Sequence, residues 1–165
     1  MSFSSLQLNV MLDDFKNRIA SLQSFDFGQE LNNIVEQNES KIPDILAQQL
    51  AQGRDGNNEP VLLNGNPEYA PFTIEIKDRF GKGLGAITDR VTNYMSGAFY
   101  QDMKTTVEND AFETTSDVPY FDDIIERSGS IVMELDESSR IEFGQKITLP
   151  AIKEILKTKT GLSIT

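Results

Sequence analysis

The stretch MKTTVENDAFETT, residues 103–115, decides the fold class that this sequence predicts. Its two halves, 103–107 and 111–115, contain Val, Phe and several Thr residues, which favour strands. The residues at 108–110 between them are typical of a turn. We therefore expect two antiparallel strands, and the aromatic pair Phe99-Tyr100 predicts that the strand-rich part begins near residue 94.

Helical signals follow this predicted hairpin along the chain. Residues 119–127 place a proline in a first helical turn, and Gly129 is a stop signal. Residues 149–159 repeat the arrangement, with Pro150 near the start and Gly161 beyond the end. A shorter helical turn is predicted over 137–143, while the apolar run 131–133 fits no single type of element.

Long helical patterns occupy the N-terminal side. Apolar residues recur at steps of three and four from about residue 6 to 23, and again from about residue 29 to 52. We interpret the second pattern as one long helix bent at Pro43, because its phase continues through the proline. The alternative is two helices, the second beginning with Ser40 as N-cap and Pro43 in its first turn. Gly53 is a natural helix end.

Turn-forming residues fill the segment between these helices and the hairpin. Asp55-Gly56 and Asn64-Gly65 favour turns with positive φ, and together they predict a short hairpin around 61–63. The alternation in 72–76 predicts another strand, and 81–85 a flexible loop. The predicted fold is α+β in a single domain, 1–165. It has N-terminal helices over 1–52, a long loop region over 53–90, and a central antiparallel sheet with further helices, including a C-terminal one, over 91–165.

Charge and composition restrict the function. The 165 residues include 26 acidic and 15 basic side chains, no His and no Cys, for a net charge of -11. Without His and Cys the chain has no Ser-His-Asp or Cys-His catalysis, no thiolate or imidazole metal ligands and no disulfides. The acidic balance argues against a nucleic-acid binder. No apolar run approaches the roughly 20 residues of a membrane span, so we expect a soluble protein.

Three patterns with possible ligand chemistry are weak. The glycine-rich 81–85 lacks the spacing of a phosphate-binding loop. The alternation at 55–59 is similar to the start of a calcium loop, but position 66 is Asn where that loop needs Glu. The helix predicted over 119–127 offers an acidic face, for which solvation is the simplest role; its carboxylates are Asp122, Asp123 and Glu126. We therefore predict no catalytic, cofactor-binding or metal site.

Four segments between residues 30 and 162 occur in a recognisable order. They are a helix running through Gln49-Leu50-Ala51-Gln52-Gly53 into an Asp/Gly/Asn turn, then 69–77, then 89–100, then 120–129 before a short apolar run and a terminal helix. In this order they resemble small virion proteins of tailed phages, of the type known from phages of Bacteroidetes-like hosts and described as tail-completion or head–tail connector proteins. The Asp-Thr-Gly of that family is Met95-Ser96-Gly97 here, and the Asp that follows it is Ala98.

The resemblance implies a non-enzymatic structural protein of the virion, a subunit of a six- or twelve-fold ring in the neck or upper tail. The implied partners are other copies of the chain and portal, connector or tail proteins. DNA would pass nearby without specific binding, and no membrane or cofactor would take part. The implied location is the virion, and the host cytoplasm during assembly.

The charge distribution indicates which surfaces would meet in such a ring. Residues 106–145 carry 11 acidic and 2 basic groups, whereas residues 146–165 carry 1 acidic and 4 basic groups. One interpretation is a solvated acidic face and a C-terminal helix whose lysines interact favourably with its dipole. The other is a contact in which the acidic region of one subunit meets the basic tail of the next, and this contact would close a ring. The expected interface residues are Asp122, Asp123, Glu126, Lys153, Lys157 and Lys159. The expected structural motif is Gly97, Phe99 and Tyr100.

Two other classes of function stay open at this point. One is a metal-dependent hydrolase that uses clustered Asp and Glu, which predicts tight binding of divalent cations. The other is an acidic DNA mimic or antirepressor, which the net charge alone favours. A mimic needs carboxylates spaced like phosphates, whereas this chain intersperses 15 basic groups among its acids.

Overall fold

A computed structural model describes residues 5–81, 86–108 and 111–161. Its α-helices are α1 (Ser5–Gln23), α2 (Phe27–Gln37), α3 (Lys41–Ala51), α4 (Pro71–Ile76), α5 (Ala98–Asp102), α6 (Phe121–Ser128), α7 (Glu137–Phe143) and α8 (Leu149–Thr160). Strands β1 (Lys104–Glu108) and β2 (Ala111–Thr115) form one antiparallel pair. The predicted α+β class and the C-terminal helix are confirmed. The predicted turn residues 109 and 110, and most of the predicted loop 81–85, lie outside the described residues.

Among the described residues, two π-helical turns and one 3-10 turn extend these helices. The first π-turn, Lys77–Gly81, continues α4, and the second, Gly144–Thr148, joins α7 to α8. The apolar run that fitted no element forms the 3-10 turn Ser130–Met133 after α6. Within the described ranges, no helix is both long enough and apolar enough to cross a membrane.

The predicted single helix over 29–52 is wrong, and the alternative of two helices is correct, although Ser40 at the N-cap position of the second helix makes no side-chain capping hydrogen bond. The break falls at 38–40, where the Asn38 side chain donates to the Ile34 carbonyl at 2.8 Å and closes α2. Pro43 lies in the first turn of α3, where a backbone N–H would have no helical acceptor. The proline therefore fits within the helix, and the apolar pattern of the sequence continues through it. Gly53 ends the segment at φ 71°, and the Gly53 and Arg54 N–H groups bond to the Leu50 and Gln49 carbonyls, as in a Schellman motif.

The strand predicted over 72–76 is also wrong, because this segment forms α4. Pro71 occupies the first turn of the helix, where its fixed φ is favourable. The pair Phe99-Tyr100 likewise lies in the short helix α5 rather than in a strand. The turn Asn64-Gly65 has the expected positive φ at both residues, but it closes only an isolated bridge between Leu63 and Asn66 and no hairpin around 61–63.

One hydrophobic core joins the N-terminal helices to the later part of the chain. Its buried members are Ile42, Ile45, Leu46, Leu50, Val61, Tyr69, Val91, Phe99, Met103, Val132, Met133, Leu135 and Phe143. Phe99 is among the largest fully buried side chains, and its ring packs on Phe121 with centroids 6.2 Å apart. The core therefore fixes α3, α5 and α6 relative to one another, and the surfaces described below project from this frame.

Candidate interaction surfaces

A buried polar network ties the end of α3 to the start of α7. Asp136 is fully buried and caps α7 by accepting from the Ser139 N–H at 2.7 Å. Its other carboxylate oxygen pairs with the Arg54 guanidinium. Burial opposes ionisation of Asp136, but the donors at Ser139 and Ser138, with the charge of Arg54, together lower the pKa of the carboxyl. This network connects the residues that follow α3 to the first turn of α7.

A second network holds α4 in place through the buried Lys77. The Lys77 ammonium donates to the Tyr69 hydroxyl at 2.8 Å, to the Ile87 carbonyl at 3.0 Å and to the Tyr94 carbonyl at 2.6 Å. It also lies 3.9 Å from the centroid of the Tyr69 ring. The three acceptors compensate the desolvation of a buried cation, which would otherwise be costly. Lys77 thereby fixes the inner face of the helix to the segment that follows residue 86.

The expected structural motif, Gly97, Phe99 and Tyr100, lies in the buried part of the chain, and Tyr100 is linked to this network. Gly97 has φ 85°, and a Cβ there would lie 2.9 Å from the Tyr94 hydroxyl oxygen. The Tyr100 hydroxyl donates to the Thr92 carbonyl at 2.5 Å, and burial raises the pKa of Tyr100. The Thr92 N–H in turn donates to the Tyr69 hydroxyl at 2.9 Å. The motif is therefore part of the interior.

The outer face of α4 and its π-turn carries an apolar ridge, which consists of Phe72, Ile76 and Phe80. Phe72 and Phe80 are 70% and 62% exposed, the largest exposures among the large hydrophobic side chains of the described residues. Residues eight apart in an α-helix are about 80° out of phase. The π-turn has more residues per turn than an α-helix, so it removes most of the angular difference between Phe72 and Phe80. The two rings therefore share one face, about 12 Å apart along the axis, on the side opposite Lys77.

An apolar groove lies beside β2 on another part of the surface. It has a volume of about 330 Å³, and its apolar lining includes Phe112, Phe121, Ile125 and Met133.

The base of the hairpin is fixed by Asp102, whose carboxylate accepts from the Asp117 N–H at 2.6 Å and the Ser116 hydroxyl at 2.9 Å. These two donors lower the pKa of Asp102.

The acidic residues expected at an interface lie on the solvent side of α6. Asp122, Asp123 and Glu126 are all exposed, and in the described ranges none of them forms an ion pair. Asp122 and Asp123 occupy the first turn, where the helix dipole favours negative charge. The helix dipole therefore explains the two carboxylates in the first turn, and no bound ligand is needed to explain them. The acidic face of α6 is exposed to solvent.

The three lysines of α8 that were expected at an interface differ in their exposure and in their ion pairs. Lys159 forms an ion pair with Glu30 of α2 at 2.6 Å, and its ammonium lies 5.0 Å from the Phe25 ring centroid. Lys157 is exposed and lies 3.9 Å from Glu154 of its own helix. Lys153 is half-buried. Lys159 therefore attaches α8 to α2 within one chain, which leaves Lys153 and Lys157 as the basic groups that can meet another molecule.

The patterns with possible ligand chemistry have other roles where they are described. The Asp55 carboxylate accepts from the Asn57 N–H at 2.9 Å and from the Glu59 N–H at 3.0 Å, so it organises its own turn. No group of three or more Asp and Glu side chains converges to hold a metal ion in the parts of the chain that the structure covers. The apolar ridge had a signal in the sequence, since Phe72, Ile76 and Phe80 are spaced i, i+4, i+8.

No family model, no curated protein and no solved structure matches this chain.

Proposed function

We propose that this chain is a non-enzymatic structural subunit of an oligomeric ring in the neck or upper tail of a tailed phage. The observation that carries the proposal is the apolar ridge, which presents two aromatic rings to solvent on a helix fixed from behind. Exposed apolar patches of this kind mark protein interfaces, and aromatic side chains are the commonest energetic centres of such interfaces.

The fixed position of the ridge is what an assembly subunit requires. Lys77 holds α4 through three hydrogen bonds, so the backbone under Phe72 and Phe80 has little freedom to lose when a partner binds. Association costs less when the contact surface is already ordered. A ridge on a mobile loop would pay that ordering cost at each contact.

The segments that resemble the phage family also support the proposal. Gln49 of the first segment bonds to the backbone at residues 134 and 136, and Tyr69 of the second accepts from the backbone N–H groups of Thr92 and Asn93 in the third. The family-like residues thus contact distant parts of the chain and maintain one fold. A family that shares such residues would share the frame and vary its outer surfaces.

A ring subunit in a stack needs separate surfaces for its ring neighbours and for the layers above and below. The chain offers the apolar ridge, the groove beside β2, the acidic face of α6 and the basic residues Lys153 and Lys157 of α8. In this proposal the ring has six or twelve copies and stacks on portal, connector or tail proteins. Where the acidic residues of 106–145 face the channel, they repel DNA and let it pass without adhering.

Co-expression with the portal and neck proteins of the same phage tests the proposal. Electron microscopy of the purified complexes is expected to show closed rings that contain this chain. The double variant Phe72→Ser with Phe80→Ser is expected to remain folded and to be lost from the rings. Glu75→Ser with Asp78→Ser is the matched control, because both residues are exposed on the same helical segment. Rings that form equally well with both double variants would remove the main support for the proposal.

A further inference from the structure

The C-terminal end of the apolar ridge combines an exposed aromatic ring with a positive charge. The Arg79 guanidinium lies 5.4 Å from the centroid of the Phe80 ring. Both side chains are exposed, and Arg79 forms no ion pair with the described residues. The exposed Asp78 is about half a helical turn from Phe80, so its carboxylate lies on another side of the helix. Phe80 and Arg79 thus form a knob with an apolar centre and a cationic side.

The other end of the ridge has the opposite charge around it. The charged residues nearest to Phe72 in the sequence are Glu68 and Glu75, and both are exposed. Phe72 and Phe80 are about 12 Å apart along the helix axis, so the two rings reach different places on a partner. An acidic partner surface therefore favours contact with Phe80 over contact with Phe72.

The groove beside β2 is complementary to the knob. Its lining includes two carboxylates, Glu113 and Glu134, and no basic residue. Both carboxylates are exposed, and neither forms an ion pair with the described residues. Phe112 in the lining is 39% exposed, so the apolar part of the groove is open to solvent. A cavity of about 150 Å³ is enough for benzene, so the groove, at about 330 Å³, has room for one phenyl ring with a guanidinium beside it.

We propose that the knob of one copy of the chain enters the groove of the next copy. The Phe80 ring then packs on the apolar lining, and the Arg79 guanidinium lies beside the two carboxylates of the groove. Aromatic and Arg side chains are the residues most often found at the energetic centre of an interface. This contact uses side chains alone, and no backbone group of β2 has to pair.

The proposed contact is of the kind that can build a ring. The ridge and the groove share no residue, so each copy presents both halves of the contact at the same time. A contact between two different surfaces is heterologous, and it closes into a ring when the rotation between copies permits. The inference rests on the proposed ring assembly, for which it supplies the contact between neighbouring subunits and leaves Phe72 to a protein of the next layer.

A mixture of two variants, each of which lacks one half of the contact, tests the inference. The knob variant is Phe80→Ser, and the groove variant is Glu113→Arg with Glu134→Arg. All three residues are exposed, so both variants are expected to give the circular dichroism spectrum of the wild type. In analytical ultracentrifugation each variant alone is expected to be a monomer. The mixture is expected to form a 1:1 heterodimer that cannot grow further, because only one intact contact can be made.

Three further changes identify the side chains that are responsible. Phe72→Ser, added to the groove variant, makes the same substitution at the other end of the ridge and is expected to leave the affinity of the heterodimer unchanged. Arg79→Glu, added to the groove variant, is expected to weaken the heterodimer by about tenfold or more. Glu36→Arg with Glu59→Arg makes the same charge change at exposed positions outside the groove, and this chain is expected to associate as the wild type does.

Several outcomes would overturn the inference. One is a mixture that stays monomeric at every concentration. Another is a groove variant that associates with itself, because the contact would then join two ridges. A third is a heterodimer that forms equally well with Arg79→Glu, because the acidic groove would then not select the cation. Rings that contain the chain while the mixture stays monomeric would leave the proposed function standing and remove only this contact.

Discussion

The side chain of Gln49 bonds to the backbone on both sides of Leu135 and presents Asp136 to Arg54. Its amide nitrogen donates to the Glu134 carbonyl at 2.9 Å, and its amide oxygen accepts from the Asp136 N–H at 2.8 Å. Gln49 is almost completely buried. One side chain at the end of α3 thus satisfies a donor and an acceptor of a segment 85 to 87 residues away, and it holds the first helices to the last ones.

The first prediction concerns this bridge. Replacing Gln49 with Leu keeps the volume but leaves the Glu134 carbonyl and the Asp136 N–H without their partner. Buried groups without partners are costly, so we expect the free energy of unfolding to fall by about 2–4 kcal/mol. Urea denaturation followed by circular dichroism measures this. Gln48→Leu is the control, since Gln48 is exposed on the same turn and should change stability little. Equal effects of the two changes would contradict the bridge.

The second prediction concerns the pH dependence of stability through Asp136. Its pKa is lower in the folded chain than in the unfolded one, so its contribution is present above about pH 4 and is lost as pH falls through the folded value. Asp136→Asn should therefore cost about 2–3 kcal/mol at pH 7 and progressively less in acid. Denaturation of both proteins between pH 2 and 7 measures the difference. Glu137→Gln, a neighbouring exposed change, is expected to track the wild type; a gap for Asp136→Asn that stays constant in acid would refute the ionic role.

The third prediction separates strain from crowding at Gly97. Gly97 and Gly65 have similar positive φ values, 85° and 80°, but only Gly97 has a neighbour where a Cβ would lie. Gly65→Ala should cost about 1–2 kcal/mol from backbone strain. Gly97→Ala should cost at least about 1 kcal/mol more, because it also displaces the Tyr94 ring from Tyr100, on which it packs edge-to-face. Thermal denaturation of both variants gives the comparison, and equal losses would show that the Tyr94 contact is unimportant.

The fourth prediction distinguishes buried from exposed phenylalanines. Phe99→Ala should lower the free energy of unfolding by about 3–5 kcal/mol, because it leaves a cavity in the core. Phe72→Ala removes the same atoms from an exposed position and should change it by less than about 0.5 kcal/mol. Chemical denaturation of the two variants tests both values at once. A large loss for Phe72→Ala would mean that the apolar ridge serves folding and not assembly.

The fifth prediction concerns the basic residues of α8. If the proposed ring forms, Lys153→Glu with Lys157→Glu should weaken its assembly more than it weakens folding, because these lysines form no ion pair with another helix among the described residues. Lys159→Glu breaks the ion pair with Glu30 inside the chain and should cost up to about 1 kcal/mol of stability. Assembly yield and unfolding midpoint are measured on the same preparations. Normal rings from the double variant would count against a basic contact.

Local signals in the sequence identified the elements that depend on neighbouring residues. Gly129 and Gly161 end α6 and α8 as predicted, both with positive φ, and the hairpin strands lie where their β-branched residues indicated. The choice between one bent helix and two helices stayed open in the sequence, because Pro43 fits the first turn of a helix and so preserves the apolar phase. A continuous phase therefore does not establish a continuous helix.

Distant contacts decided what the sequence could not show. The residues 72–76 fit both an alternating strand and one face of a helix, and the helix is favoured by Pro71 at its start and by Lys77, whose acceptors lie up to 17 residues further along. The Lys159 pair with Glu30 spans 129 residues, so the basic tail could not be divided from sequence into inner and outer lysines. The groove beside β2 depends on the packing of α6 and the 3-10 turn against the hairpin, and no local pattern encodes it.

The central claim is the proposal that this chain forms part of the neck or upper tail of a tailed phage, and a cryo-EM reconstruction of such a particle tests it most directly. The account predicts a closed six- or twelve-fold ring of this fold between the portal and the tail tube, with Phe72 and Phe80 buried against a neighbouring protein. A particle whose neck and tail contain no copy of the chain would contradict it, and so would a bound copy that leaves both rings exposed to solvent.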